Sequence, residues 1–294
     1  LNKAQTLEKL LQYMAEAHAN QADIIAVGET WFSGYPSWLD FCPNVALWDH
    51  APTKEAYLLT YQNALALSDP EVERIRKACK DFNLAMVLGI NERVENGPGN
   101  GSLYNTILTF GKDGELLNHH RKLVPTYTER LVHAPGDGAG LHTVRIDDVQ
   151  VGSLICWEHW MPLTRQTLHN EGEHLHFCLW PWVHEKHQIA TRHYAFEGRC
   201  YVVSIGQIMT ASEIPDFLEL PASISPDHLL LKGGSCVVQP NGDYLLEPDF
   251  KTRGMLLVDI PNFDACTKEK MTLDTSGHYQ RNDVFELKVN KQRN

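Results

Sequence analysis

Cys156 closes the apolar run 151–155, and Trp157-Glu158-His159 follow before Pro162 opens a stretch with helical spacing. Proline suits a first helical turn, because the N–H it lacks would have no helical partner there. A thiol at such a strand-to-helix elbow points outward, and backbone N–H groups of the incoming turn can lower its pKa. Taken alone, a cysteine ending a core strand is more often simply packed, since free cysteine behaves as a small hydrophobe. Two charged residues stand at comparable points. Glu29 follows the apolar run 22–27 within Gly28-Glu29-Thr30-Trp31-Phe32-Ser33-Gly34-Tyr35-Pro36. Lys122 lies in His120-Arg121-Lys122-Leu123-Val124-Pro125-Thr126-Tyr127-Thr128-Glu129-Arg130. Each by itself reads first as a solvated charge or an ion pair. A thiol, a carboxylate and an ammonium are residue types that could do covalent chemistry if the fold brought them together.

The elements that must position these residues follow from periodicity. Leu7, Leu10, Leu11 and Met14 share a helical face within residues 1–19. Residues 54–68 and 70–81 read as two more helices, the second entered through Ser68-Asp69-Pro70. Strands are expected at 22–27, 83–90 and 102–110, with a Gly- and Asn-rich loop at 91–101 and a hairpin turn at Lys112-Asp113-Gly114. The segment 141–156 is rich in strand. A helix from Pro162, a strand at 174–179, a helix near 185–200 and a strand at 201–207 come next. A hairpin turns at Pro240-Asn241-Gly242-Asp243, and 254–260 reads as a last core strand. Strands alternating with helices, with hairpins between, imply a mixed sheet covered by helices. With no long linker in view, residues 1–294 are expected to form a single domain.

Composition narrows the classes. The chain has 294 residues, 43% of them apolar and 21% charged, as in ordinary globular proteins. A net charge of −11 argues against a nucleic-acid surface, which needs a positive footprint. No apolar run is long enough for a membrane span. Seven cysteines without a CxxC pair fit free thiols in a reducing compartment, and no signal peptide is evident, so a cytoplasmic location is expected.

These segments, in this order, resemble the nitrilase superfamily of carbon–nitrogen hydrolases, and its true nitrilase branch above all. The likeness is carried by the Glu29 and Lys122 segments quoted above, by Gly136-Asp137-Gly138, by Cys156-Trp157-Glu158-His159-Trp160-Met161-Pro162-Leu163, and by Gly277-His278-Tyr279-Gln280-Arg281-Asn282-Asp283-Val284. The resemblance implies an α/β fold, an α-β-β-α sandwich that self-associates through helical faces. It further implies a Glu29–Lys122–Cys156 catalytic set with Glu129 as a second glutamate beside it. Tyr35 and Trp182 would line a pocket for an apolar or aromatic substituent, with His133 beside it. His159 would line the pocket, hydrogen-bond to substrate or pack behind it. Asn282 stands where the family usually has proline. The sequence opens inside what would be the first helix and stops soon after Val289, so a first core strand and the tail many relatives use in spiral assembly are expected to lie outside it. At least a dimer is expected.

The chemistry of a nitrile asks for the same residue types. Its carbon is a modest electrophile, and thiolate is the strongest side-chain nucleophile available. Lys122 and the Trp157 backbone N–H would stabilise the negative charge, and Glu29 would take the thiol proton and later activate water. Such a base works best with a raised pKa, which burial beside Glu129 would provide. The expected products are a carboxylic acid and ammonia, with no metal and no organic cofactor. Hydrolysis of an amide or N-carbamoyl compound, hydration that stops at the amide, and a catalytically silent assembly protein are the alternatives. His184-Glu185-Lys186-His187 falls one residue short of the spacing that puts two metal ligands on one helical face. The Gly136-Asp137-Gly138 turn reads as support for the Lys122 loop rather than a phosphate cradle, since no Lys-Ser/Thr follows it.

Overall fold

The computed structural model describes residues 1–293. In chain order the elements are α1 (Lys3–Ala19), β1 (Ile24–Ala26), α2 (Trp38–Phe41), α3 (Ala51–Asn63), α4 (Pro70–Phe82), β2 (Ala85–Arg93), β3 (Leu103–Phe110), β4 (Leu116–Arg121), β5 (Val144–Ile146), β6 (Val149–Ile155), α5 (Pro162–His169), β7 (Leu175–Leu179), α6 (Glu185–Gly198), β8 (Tyr201–Ile205), β9 (Ile208–Thr210), β10 (Leu229–Lys232), β11 (Ser235–Val238), β12 (Tyr244–Asp249) and α7 (Asp264–Glu269). Short 3-10 turns at Tyr127–Leu131 and Cys156–Trp160 carry residues of the chemical set.

Two mixed sheets lie face to face. One runs β1-β2-β3-β4, and the other runs β12-β11-β8-β7-β6-β5, with β6, β7 and β8 parallel. The periodicity of α1 explains one outer layer. Leu7, Leu10 and Met14 are buried with Val72 and Ile75 of α4 against Met86, Leu88 and Leu108 of the first sheet. Between the sheets, Val87 and Ile107 meet Leu154, Ile155 and Phe177, and the same core continues to Ala190, Tyr194 and Ala195 of α6. The layers are helix, sheet, sheet, helix, as expected for an α-β-β-α sandwich. No described helix is long and apolar enough to cross a membrane.

Four local expectations change. The helix placed at 54–68 runs over Ala51–Asn63, because Pro52 starts it early and the chain then leaves to pair Leu65 with Glu92. The loop expected from residue 91 begins later. Asn91, Glu92 and Arg93 pair with Asn105, Tyr104 and Leu103, and the buried Glu92 side chain takes hydrogen bonds from Thr106 and Arg121. Past Cys156 the chain makes a 3-10 turn before helix α5. Residues 254–260 form no ladder among the described residues; they run beside a cavity of about 1350 Å³ that also meets β1, although Met255 and Ile260 still pack on the cores. An apolar run makes a strand only where another strand offers N–H and C=O groups.

One close backbone approach places the first chemical segment. A Cβ on Gly89 would sit 2.1 Å from the Gly28 carbonyl oxygen and 3.0 Å from the Thr30 nitrogen. Only glycine lets β2 pass this near the turn that carries Glu29. We predict that Gly89→Ala destabilises the fold by about 1–3 kcal/mol, the usual cost of overpacking, and lowers activity as well. Denaturant melts would check this, and a loss below about 0.5 kcal/mol would show that the contact relaxes freely.

Candidate active site

Each chemical residue sits where a strand gives way to a turn. Glu29 follows β1, and its backbone is tied to the other sheet: its N–H donates to Trp180 O at 3.4 Å, and its carbonyl accepts Gln207 Nε2 at 2.6 Å. Lys122 follows β4. Its N–H donates to Asn105 O and its carbonyl accepts Gly136 N–H, both at 2.8 Å. A Cβ on Gly136 would sit 2.4 Å from Arg121 O, so the Gly136-Asp137-Gly138 turn packs directly against the lysine segment. Cys156 follows β6 with φ +50°, a left-handed conformation unusual for a residue with a side chain. Such strain costs on the order of 1–3 kcal/mol and is held only by the surrounding structure.

These turns converge from the two sheets on one buried cluster. Lys122 Nζ donates to Glu29 Oε1 and to Glu129 Oε2, each at 2.7 Å. Lys122, Glu29 and Glu129 are no more than 1% exposed, and Cys156 is 4% exposed. Carboxylate oxygens of Glu29 and Glu129 and the Cys156 sulfur all lie within 4.8 Å of one another. The same three atoms could reach a common ion, but the Lys122 ammonium already occupies the carboxylates.

The two glutamates are not equivalent. Glu129 accepts Tyr35 OH at 3.0 Å and Thr126 N–H at 2.9 Å besides Lys122. Burial would raise its pKa, but Lys122, His133 and the Thr126 N–H hold it below the ordinary range. Glu29 accepts Asn105 Nδ2 at 2.7 Å on the oxygen that Lys122 also uses, while its Oε2 has no partner. Burial pushes the Glu29 pKa up to about 7 despite Lys122, and the Glu129 charge adds to the rise. Lys122 is the reverse case. Burial would lower its pKa, but Cys156, Glu129 and Glu29 raise it well above the usual ammonium range.

The Cys156 thiol departs from the sequence expectation. Burial and the Glu29 charge push it well above its ordinary range, against Lys122 and the Trp157 backbone N–H that hydrogen-bonds to it. The expected lowering by helix N–H groups fails because the following 3-10 turn offers the sulfur that single N–H and two carboxylates lie beside it.

The expected pocket residues divide. Tyr35 joins the cluster through Glu129. Trp157 gives its N–H to the sulfur while its ring is half exposed. His133 is buried beside Glu129, with Nε2 on Asn91 Oδ1 at 2.7 Å and Nδ1 unpartnered, and burial lowers its pKa to about 4. Trp182 packs under Lys232 and edge-on to His184. His159 is turned inward: its Nδ1 donates to Cys156 O at 2.7 Å, and its Nε2 meets His176 Nε2 at 3.0 Å. Both ring nitrogens are engaged, which leaves none for a substrate. Cys178 also lies near the two imidazoles, yet the N···N contact is that of a shared proton rather than a metal. His184 caps α6 by accepting Lys186 N–H. Asn105, which the sequence reading passed over, could have been suspected only as a polar residue inside an apolar strand.

Comparison with known proteins places the chain in a family. The family model described as carbon-nitrogen hydrolase matches residues 1–265. An aliphatic nitrilase of Sinorhizobium fredii (strain HH103) is 33% identical over 98% of this chain and 91% of its own length. An aliphatic nitrilase of Rhodococcus rhodochrous is 32% identical over 98% and 79%, respectively. Among solved structures, a carbon-nitrogen hydrolase from Helicobacter pylori G27 superposes with a TM-score of 0.65 over 97% of this chain and 94% of that one, at 13% identity. The Caenorhabditis elegans NitFhit protein gives 0.66 over 98% and 64%, at 16% identity. With a family match over most of its length and relatives above 30% identity spanning nearly all of it, the chain belongs to the carbon–nitrogen hydrolase family.

Proposed function

We propose that the protein is a nitrilase, hydrolysing a small organic nitrile to the carboxylic acid and ammonia. The observation that carries the reading is the buried cluster in which Glu29, Glu129 and the Cys156 sulfur lie within 4.8 Å around Lys122. Nitrilase relatives that align over nearly the whole chain support the choice of nitrile over amide.

In the proposed course, the free Oε2 of Glu29 takes the Cys156 proton as the sulfur attacks the nitrile carbon. That proton passes to the nitrogen, giving a covalent thioimidate. Lys122 and the Trp157 N–H stabilise the charge that develops during attack. Glu29 then activates water for addition to the thioimidate carbon, and collapse expels ammonia and leaves a thioester. A second water releases the acid and restores the thiol. Two waters are consumed for each nitrile. Glu129 keeps Lys122 oriented and raises the basicity of Glu29.

Seven free cysteines suit a reducing, cytoplasmic setting. Exposed Leu163 on α5 with Ile189 and Phe196 on α6 supports a homo-oligomer, at least a dimer.

A panel of aliphatic, arylaliphatic and aromatic nitriles and cyanide, scored for acid, amide and ammonia, tests the reading. We expect acid and ammonia, with turnover abolished in Cys156→Ala; turnover of amides alone, or amide as the sole product, would overturn it. The pH profile follows from the base. Glu29 works only when ionised, and its raised pKa puts the acid limb of kcat/KM near pH 7, with activity lost as pH falls through that value. Glu129→Gln removes a charge that raises this pKa, so the limb should move to lower pH while kcat drops. A limb that stays put or moves up would contradict the assigned coupling.

A further inference from the structure

We infer that Glu158 is a positioning residue whose one buried carboxylate fixes the nucleophile and the lysine relative to each other. The inference rests on the reading of Cys156 and Lys122 as partners in one reaction. Glu158 Oε2 accepts the Ile155 backbone N–H at 2.8 Å, and Oε1 accepts the Leu123 backbone N–H at 2.8 Å. Ile155 immediately precedes Cys156, and Leu123 immediately follows Lys122. The first ends a strand of the six-stranded sheet, and the second leaves a strand of the four-stranded sheet. A single side chain thus ties the two halves of the sandwich at the residues flanking the chemistry. His120 Nε2 approaches both oxygens, at 2.9 and 3.1 Å, and completes the set of donors. Glu158 is 1% exposed and His120 is fully buried.

The charge matters to the geometry. Burial would raise the Glu158 pKa, but His120 and the two N–H groups hold it below the ordinary carboxylate range. Ionised, it offers two acceptor oxygens with lone pairs to spare, whereas an amide has only one acceptor oxygen and adds two donors. The Cys156 backbone is held at φ +50°, so its carbonyl and N–H directions need fixing from both sides. Glu158 holds the N–H of Ile155, the residue before it, and His159 holds its carbonyl.

Glu158→Gln preserves size and removes one acceptor, leaving a backbone N–H without a partner on one side of the tie. We expect kcat per titrated Cys156 to fall about ten- to a hundredfold, as misplacements of the order of 1 Å do, with KM changed less than about threefold. The rate of Cys156 alkylation by iodoacetamide, resolved from the other cysteines by peptide mass spectrometry, should fall in parallel. His120→Leu should show the same split, and His120→Gln, which keeps an N–H donor, should recover most of that loss. If the variants lose melting temperature alone, while kcat per titrated site and alkylation stay at wild-type values, the inference is overturned. Should Glu158→Gln not fold, the two His120 variants decide the matter by the same readouts. Alkylation needs no nitrile, so a wild-type protein without nitrile turnover would sink the proposed function and still leave Glu158 judged.

Discussion

Three ionisable groups removed from water set the terms for everything around them. Lys122 sits between Glu29 and Glu129 in a site with almost no solvent access. One ammonium cannot fully offset two buried carboxylates, and desolvating an unpaired charge is expensive. The mismatch is resolved by unequal hydrogen bonding. Glu129 has Tyr35, Thr126 and Lys122 as donors and stays ionised, whereas Glu29 has one oxygen shared by two donors and one left bare. The excess charge therefore falls on Glu29 as a raised pKa, and a carboxylate that would be a poor base in water becomes a useful one. Removing Lys122 would strand both carboxylates, and breaking a buried pair typically costs about 3–5 kcal/mol.

The sandwich exists at this point to bring chain ends together. Glu29 and Lys122 leave the four-stranded sheet, and Cys156 leaves the six-stranded one. Thr30, Tyr127 and Cys156 all have positive φ, so the chain turns sharply at or beside each contributing segment. Cross-sheet ties absorb that strain: Gln207 on the Glu29 carbonyl, Trp180 on its N–H, Glu158 across the Ile155 and Leu123 N–H groups that flank Cys156 and Lys122. Rigid strands supply position, and short turns aim the side chains.

Much of this was legible in the sequence, for identifiable reasons. Helix α4 is flanked by Asp69-Pro70 and Asn83, a start and a left-handed stop, and its limits were read almost to the residue. Glu29 stood out because it follows an apolar run, where a charge has to be either solvated or satisfied, whereas Lys122 and Glu129 gained meaning only from their order along the chain with Glu29 and Cys156. Less legible was anything decided by a distant partner. Residues 254–260 are apolar like a core strand but find no ladder, and Asn91 to Arg93 look like loop until Glu92 is seen on Arg121 and Thr106. The choice among the roles open to His159 depended on the same kind of information, since only the fold brings His176 to its far nitrogen. Glu129 and Glu158 share a local signature that could have been used: each reaches back to a backbone N–H three residues earlier, at Thr126 and Ile155.

The direction of the Cys156 shift carries the last step. A strand-to-helix elbow invites the picture of a standing thiolate, activated by several N–H groups. Here the turn delivers the Trp157 N–H, while Glu29 and Glu129 lie close to the sulfur, and the thiol is harder to ionise than in water. With Glu29 able to hold a proton near neutrality, the resting pair is a thiol beside a carboxylate, not a thiolate beside an acid. Negative charge then leaves Glu29 only as the new carbon–sulfur bond forms and the substrate nitrogen takes it up near Lys122. Stabilisation by Lys122 is thereby largely reserved for the charge as it moves. That is how a binding interaction lowers a barrier instead of merely stabilising the ground state.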